Sequence, residues 1–140
     1  MSDPRAPQRG PRLLAVQGAD RKVGWSLAAG NGRRLAVSAR FYRGELELVA
    51  ALRELLIERG SLRYTLSQDQ GRAWRWSAYL PPRSTRPGPG IDDPVARSAR
   101  GYLRRDQCQQ GVASFRAGLQ LLENDWRMAG RPGGDGRWPW

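Results

Sequence analysis

The residues that could carry out chemistry in this chain are few. The sequence contains no histidine and one cysteine, so it lacks the commonest general base and zinc ligand and cannot form a Cys-x-x-Cys pair. Asp92 and Asp93 are its only adjacent carboxylates, and such a pair could bind a metal or transfer protons. Ile91 and Pro94 flank the pair in a predicted loop, which favours a turn with solvated charges.

Cys108 and one glycine-rich stretch are the other candidates for catalysis. Arg104 and Arg105 lie about one helical turn before Cys108 and could stabilise its thiolate. An internal repeat, however, has Leu48 in the place of Cys108, which favours a position in the core. The stretch Gly88-Pro89-Gly90 lacks the following Lys-Ser/Thr of a phosphate-binding loop. We therefore predict a protein that is not an enzyme, with no catalytic residue, no metal site and no cofactor.

The charge of the chain points to binding more than to catalysis. The 140 residues carry a net charge of +11, with a pI near 11.4, and this balance favours polyanionic partners such as nucleic acid. Lys22 is the only lysine, and an excess of Arg, Gly, Pro, Ala and Trp is also what a GC-rich genome would impose. Both interpretations stay open. The single cysteine and the lack of about 20 consecutive apolar residues predict a cytoplasmic protein without membrane association.

The predicted secondary structure begins with a three-stranded meander. Residues 13–16 and 23–29 read as strands, and Gly30-Asn31-Gly32 supplies the positive φ angles of a tight hairpin turn. In the third strand, Leu35, Val37 and Ala39 are predicted to face one way, and Ala36, Ser38 and Arg40 the other way. Leucines at three- to four-residue spacing then predict an amphipathic helix from Gly44 to about Gly60.

The same order of elements is predicted a second time. Strands are expected at residues 63–67, 73–80 and 95–99, with Trp76 in the place of Trp25, and a helix is expected from Arg104 to about Leu122. The loop from Pro81 to Pro94 is too rich in Pro, Gly and Arg for regular structure.

A repeated motif connects the two series. Ser38-Ala39-Arg40-Phe41-Tyr42 returns sixty positions later as Ser98-Ala99-Arg100-Gly101-Tyr102, and a repeat of this kind packs the apolar face of one copy against the other. We predict one α+β domain over residues 13–123, made of repeats at about 13–59 and 60–123. A flexible arm over residues 1–12 precedes it, and a loose tail over residues 124–140 follows.

These motifs resemble the YegP-like proteins, a family of unknown function also called DUF1508 or UPF0339. The resemblance is carried by Leu27-Ala28-Ala29-Gly30-Asn31-Gly32 and by the two copies of the Ser-Ala-Arg motif, each followed by a helix. It implies two β-β-β-α-β units that share one antiparallel sheet with both helices on one face, and it implies no activity. Arg40 and Arg100 stand where the family often has an acidic residue.

A sheet covered on one face leaves the other face for binding. The opposite strand parity predicts an open face that carries Ser26, Ser38, Arg40, Arg75, Ser77, Tyr79, Ser98 and Arg100. Arg40, Arg75, Tyr79 and Arg100 are the predicted polyanion-binding residues, because arginine pairs with phosphates and an aromatic ring stacks on a base. The alternative is a solvated face without a ligand.

The termini and the loop add two further possibilities. Arg5, Arg9 and Arg12 in the arm and Arg83 and Arg86 in the loop could contact phosphates. A protein-interaction or assembly module is the competing hypothesis, with docking through the sheet or through the tail residues Trp126, Trp138 and Trp140. Because one chain completes the sheet, we predict a monomer with internal pseudo-twofold symmetry.

Overall fold

The computed structural model of the chain describes residues 10–82 and 93–128. In chain order, the strands and α-helices of these ranges are β1 (Arg12–Gln17), β2 (Val23–Ala28), β3 (Arg34–Ser38), α1 (Glu45–Ile57), β4 (Arg63–Gln68), β5 (Trp74–Tyr79), β6 (Ala96–Ser98) and α2 (Arg105–Met128). Residues 1–9 of the predicted arm, 83–92 of the predicted loop and 129–140 of the predicted tail lie outside the described residues. Arg5, Arg9, Arg83, Arg86, Asp92, Trp138 and Trp140 are therefore not described.

All six strands form one antiparallel sheet in the order β1-β2-β3-β6-β5-β4. At its centre β3 pairs with β6, where Val37 lies opposite Arg97 and the flanking pairs are Ala36 with Ser98 and Ser38 with Ala96. The described order is β-β-β-α followed by β-β-β-α, in place of the β-β-β-α-β units expected from the resemblance. The strand after α1 is β4, which pairs with β5 at the far edge of the sheet. We call β1–β3 with α1 the first half and β4–β6 with α2 the second half.

Corresponding backbone contacts occur in both halves. The Trp25 N–H donates to the Ser38 hydroxyl at 3.0 Å, and the Trp76 N–H donates to the Ser98 hydroxyl at 3.3 Å. Backbone bridges join Val23 to Tyr42 in the first half and Trp74 to Tyr102 in the second half. The Ala39 N–H donates to the Val95 carbonyl at 3.1 Å, and the Ala99 N–H donates to the Leu35 carbonyl at 3.4 Å.

The core lies between the helices and one face of the sheet. On this face Leu27 is opposite Ala36, and Ala78 is opposite Ala96. The helices cover these residues with Leu48, Leu52 and Leu55 of α1 and with Cys108, Phe115 and Leu119 of α2. The rings of Trp76 and Phe115 pack with centroids 4.8 Å apart. The predicted core positions of Trp25, Trp76 and Cys108 are confirmed, since each side chain is buried.

The structure corrects the predicted face of two serines. Ser38 and Ser98 lie on the helix-covered face, because they pair with Ala96 and Ala36 in register with the core alanines. Their hydroxyls accept the tryptophan N–H groups named above, and this bond satisfies a polar group in a buried position. Ser26 lies on the open face as predicted, yet its side chain is also buried.

The second helix is longer than its apolar pattern predicts. α2 continues past Leu122 to Met128, so the first residues of the predicted tail, including Trp126, are helical. No glycine or proline interrupts the chain between Leu122 and Met128, and the backbone can therefore stay helical without an apolar face. Within the described ranges, no helix is both long and apolar enough to span a bilayer.

Candidate anion-binding site

Two of the four predicted polyanion-binding residues, Arg75 and Tyr79, lie on the open face of the sheet. Each of them contacts a different neighbouring side chain. Arg75 on β5 donates from Nε to the Asp69 carboxylate at 2.8 Å. This hydrogen bond, together with the bond from the Ala73 N–H, lowers the pKa of Asp69. The Tyr79 ring lies under the Arg63 guanidinium at 5.4 Å. Arg63 and Arg75 thus each contact a neighbouring side chain already.

Arg40 and Arg100 occupy bends that follow β3 and β6. Arg40 donates from Nη2 to the backbone carbonyl of Asp93 at 2.7 Å. The Arg100 guanidinium stacks over the Tyr102 ring at 4.9 Å and also lines a cavity. The structure therefore gives the four predicted residues four different settings, and Arg100 is the one that lies beside other arginines in a cavity.

The cavity at Arg100 is basic and has a volume of about 440 Å³. Arg33 and Arg34 line it from the start of β3, and Gln107, Gln110 and Ser114 line it from α2, so no carboxylate is among its lining residues. Guanidinium, amide and hydroxyl groups can all donate hydrogen bonds to an anion. We call this cavity, with Arg33, Arg34 and Arg100 at its wall, the basic cavity.

The hairpin between β2 and β3 positions Arg33. Gly32 has a φ of +88°, a left-handed conformation that favours glycine, and it allows the tight turn. The Asn31 side chain accepts the Arg33 N–H at 2.9 Å, and the Arg33 carbonyl accepts the Ala29 N–H at 2.8 Å. Sequence reasoning identified this turn but missed the two arginines that follow it. The internal repeat held a signal for them: at the corresponding positions, sixty residues later, the second copy has Asp93 and Pro94 in place of the two arginines.

The floor of the basic cavity depends on the close approach of α2 to Tyr102. A Cβ atom on Gly111 would lie 2.5 Å from the Tyr102 hydroxyl and 3.3 Å from Nε1 of Trp76, so only glycine fits without a shift of neighbouring atoms. Backbone bonds of 2.7 and 2.8 Å between Trp74 and Tyr102 hold this segment to the sheet. The Tyr102 segment is therefore held between α2 and the sheet.

The groups that line the basic cavity mainly supply positive charge and hydrogen-bond donors. Its lining residues include no imidazole, thiol or carboxylate that could act as a general base. Burial raises the pKa of the Cys108 thiol, partly offset by the charge of Arg105, and a raised pKa disfavours the reactive thiolate. No group of three metal-ligating side chains occurs in the part of the chain that the structure describes.

The place beside α1 that corresponds to the basic cavity has a different composition. Sixty positions from Arg33 and Arg34 stand Asp93 and Pro94, and Arg40 takes the place of Arg100. Glu47 and Glu54 of α1 stand where α2 has Gln107 and Ser114. Burial raises the pKa of Tyr42, the charge of Arg40 lowers it, and the charge of Glu54 raises it. The sequence thus has carboxylates at the three positions beside α1 that correspond to Arg33, Gln107 and Ser114 of the basic cavity.

Two solved structures are similar to the chain in fold. A UPF0339 protein of Shewanella oneidensis superposes with a TM-score of 0.61 at 13% identity, covering 79% of this chain and 86% of its own. YegP of E. coli, a protein of unknown function, superposes with a TM-score of 0.57 at 16% identity and the same coverage. No protein-family model and no curated protein sequence matches the chain. The chain therefore has the α+β fold of these UPF0339 and YegP proteins.

Proposed function

We propose that this chain is a YegP-like protein without catalytic activity that binds an anionic macromolecule in the basic cavity. The observation that carries the proposal is the meeting of Arg33, Arg34 and Arg100 in one open cavity without a carboxylate in its lining. Arginine forms strong, directional hydrogen bonds to phosphate and carboxylate oxygens, and its charge persists at every physiological pH.

The proposal includes an origin in two tandem repeats of one unit. From either edge of the sheet to its centre, the three strands of one half follow one another in chain order. The central pair Val37–Arg97 joins equivalent positions of the two halves. The paired hydrogen bonds of Trp25 with Ser38 and of Trp76 with Ser98 support the same interpretation. A chain of this kind completes its sheet alone, which is consistent with a monomer.

The basic cavity is a better candidate than the open sheet face. Arg75 on that face already bonds Asp69, and Arg63 covers the ring of Tyr79. A ligand there would first have to displace an existing contact. The basic cavity, in contrast, gathers three cations and four polar or aromatic side chains around an open volume, and a bound anion would add contacts without breaking an ion pair among its lining residues.

A binding titration with single-stranded DNA as a probe polyanion tests the proposal. The variant Arg33→Glu/Arg100→Glu is compared with Arg53→Glu/Arg97→Glu, which makes the same change of net charge at exposed positions of α1 and of the open face. We expect the first variant to lose about tenfold or more in affinity and the second to lose far less. The wild-type affinity should fall with salt at a slope of about −0.7 per neutralised phosphate.

Two results would overturn the proposal. Equal losses in both variants would mean that net charge alone attracts the probe, and a larger loss in the Arg97 variant would return the site to the open face. Circular dichroism and thermal unfolding of all variants confirm that the fold is retained.

A further inference from the structure

We propose that the basic cavity is one end of a groove that binds a peptide segment of a partner protein, with acidic residues at one end of that segment and aliphatic residues at the other. The inference rests on the proposed function, because Arg33, Arg34 and Arg100 would hold the acidic end. It goes further by naming the class of ligand and by extending the site along α2.

The groove continues beyond the basic cavity. A second cavity of about 620 Å³ shares Leu35 and Ser114 with the first, so the two are contiguous. On α2 they extend from Gln107 to Leu121, a distance of about 21 Å at 1.5 Å per helical residue. An extended peptide of about six residues has the same length at 3.3 Å per residue.

The two ends of the groove differ in chemistry. No residue that lines the second cavity has an ionisable side chain, and most of the side chains are apolar. Leu121 lines this end and is 50% exposed, and Leu103, which lines the basic end, is 88% exposed. The apolar residues that line the second cavity are Pro11, Ala29, Leu35, Ala117 and Leu121. Exposed leucines at a concave surface favour contact with apolar groups of a partner.

A peptide complements this lining better than a nucleic acid does. Single-stranded nucleic acids gain much of their affinity from bases stacked on aromatic rings, and the second cavity has no aromatic residue in its lining. The Tyr102 ring in the basic cavity is covered on one face by Arg100. Aliphatic walls accept side chains such as leucine, and the three arginines pair with carboxylates.

The occupant has to come from another chain. The segments at 1–9, 83–92 and 129–140 contain no run of acidic residues joined to aliphatic ones. A second copy of this chain is the main alternative, since Leu46 is 86% exposed between Glu45 and Glu47 on α1. On α1, however, Leu46 and Ile57, which is 68% exposed, lie far apart along the helix, whereas the apolar residues of the second cavity line one continuous surface.

The test compares labelled eight-residue peptides of one composition. One peptide has three glutamates in a block at its N-terminal end, and the second has the same block at its C-terminal end. Leucine and alanine fill the other positions. The third peptide alternates the same residues. Each is titrated against the wild type, Arg33→Glu/Arg100→Glu, Leu121→Glu and the matched control Leu46→Glu, which adds the same charge outside the groove. Single-stranded DNA is titrated in parallel, and light scattering reports the mass of the protein.

We expect one block peptide to bind about tenfold tighter than the alternating peptide. Leu121→Glu should remove that preference and leave the binding of DNA largely unchanged, and Leu46→Glu should alter neither. If all peptides and DNA bind equally and Arg33→Glu/Arg100→Glu abolishes this binding, the proposed function stands and the peptide inference is overturned. If no probe binds the wild type, both are overturned. A concentration-dependent mass that Leu46→Glu abolishes would assign the groove to a second copy and would also overturn the inference.

Discussion

The basic cavity beside α2 and its counterpart beside α1 share backbone hydrogen bonds but differ in the residues near their arginine. Beside α2, Arg100 lies with Arg33 and Arg34 in an open cavity without a carboxylate in its lining. Beside α1, Arg40 donates to the Asp93 carbonyl at 2.7 Å, and Glu47 and Glu54 stand where α2 has Gln107 and Ser114. The backbone hydrogen bonds from Ala39 and Ala99 are equivalent in the two places. The same backbone hydrogen bonds thus accompany an arginine in an open cavity at one place and an arginine bonded to a backbone carbonyl at the other.

A second comparison shows how each half fills the same space in a different way. In the first half the Phe41 ring lies over Gly18 and Gly24, where a Cβ atom would come within 2.6 and 3.0 Å of the ring. In the second half, Gly101 replaces the phenylalanine, and the Arg75–Asp69 ion pair occupies the positions of the two glycines. An apolar contact in one half thus corresponds to a polar contact in the other. The comparison predicts that the Arg75–Asp69 pair stabilises the second half, as the contact of Phe41 stabilises the first.

The largest expected effect concerns the cores of the two halves. Phe115 is fully buried against Trp76 and stands where α1 has Leu55. We expect Phe115→Ala to lower the free energy of unfolding by roughly 3–5 kcal/mol, and Leu55→Ala by roughly 2–4 kcal/mol, because the larger side chain leaves the larger cavity. Urea unfolding measures both. A greater loss in Leu55→Ala would place the more important packing in the first half.

The next effect follows when two arginines of the basic cavity are replaced. Arg33→Asp/Arg34→Gln puts an aspartate and an uncharged residue at the start of β3, where the repeat has Asp93 and Pro94 before β6. We expect the affinity for single-stranded DNA to fall about tenfold, while the unfolding midpoint stays the same because both side chains are exposed. Arg40→Gln/Arg53→Glu, which lowers the net charge by the same amount outside the basic cavity, is the matched variant. An equal loss in this variant would contradict the difference between the two places.

A smaller effect distinguishes the Phe41 contact of the first half from the Arg75–Asp69 ion pair of the second half. Phe41→Ala should cost about 1–2 kcal/mol, since the ring is only partly buried, and the cost should be the same at pH 7 and pH 3. Asp69 has a pKa below its ordinary value of 3.8, so its ionised form is favoured in the folded state. Its contribution is present above pH 3.8 and is lost as the pH falls through the lowered pKa.

Thermal unfolding at two pH values checks this pair of variants. Asp69→Asn should lower the midpoint at pH 7, and the gap from the wild type should narrow as the pH falls below 3.8. Phe41→Ala should show a constant gap over the same range. A gap for Asp69→Asn that stays constant with pH would mean that the Arg75–Asp69 pair does not stabilise the fold.

The smallest effect at neutral pH concerns Tyr64, which takes the place of Leu13. Burial raises the pKa of Tyr64 from 10.0 to about 12, although the charge of Arg116 lowers it. Its hydroxyl is buried and has no hydrogen-bond partner within the described residues. We expect Tyr64→Phe to change stability at pH 7 by less than about 1 kcal/mol.

A difference should appear at high pH. The neutral phenol is favoured in the folded state, so its contribution is complete below pH 10.0 and is lost as the pH rises toward 12. The wild type should therefore lose more stability over this range than Tyr64→Phe does, as followed by urea unfolding. Identical pH profiles would show that the hydroxyl is solvated in the folded state.

Most of the secondary structure and much of the core could be predicted from the amino-acid sequence. Alternation and helical spacing predicted six strands and two helices, and the repeated motif placed Cys108 with Leu48 and Trp76 with Trp25. Such predictions succeed because apolar residues must face the core at the period of the element that carries them. The helix α2 was predicted too short, since its last residues stay helical without an apolar pattern.

Which polar residues meet depends on the pairing of distant strands, which the sequence pattern does not reveal. The alternation of side chains along a strand does not extend past the ends of β3 and β6, so it could not place Arg40 or Arg100. It also put Ser38 on the wrong face, because a hydroxyl can be buried once it accepts a backbone N–H. Arg33 and Arg100 are far apart in the chain and come together because β3 pairs with β6 at the centre of the sheet. The sequence specifies local periodicity, whereas a binding site depends on which distant strands pair and on how closely a helix approaches them.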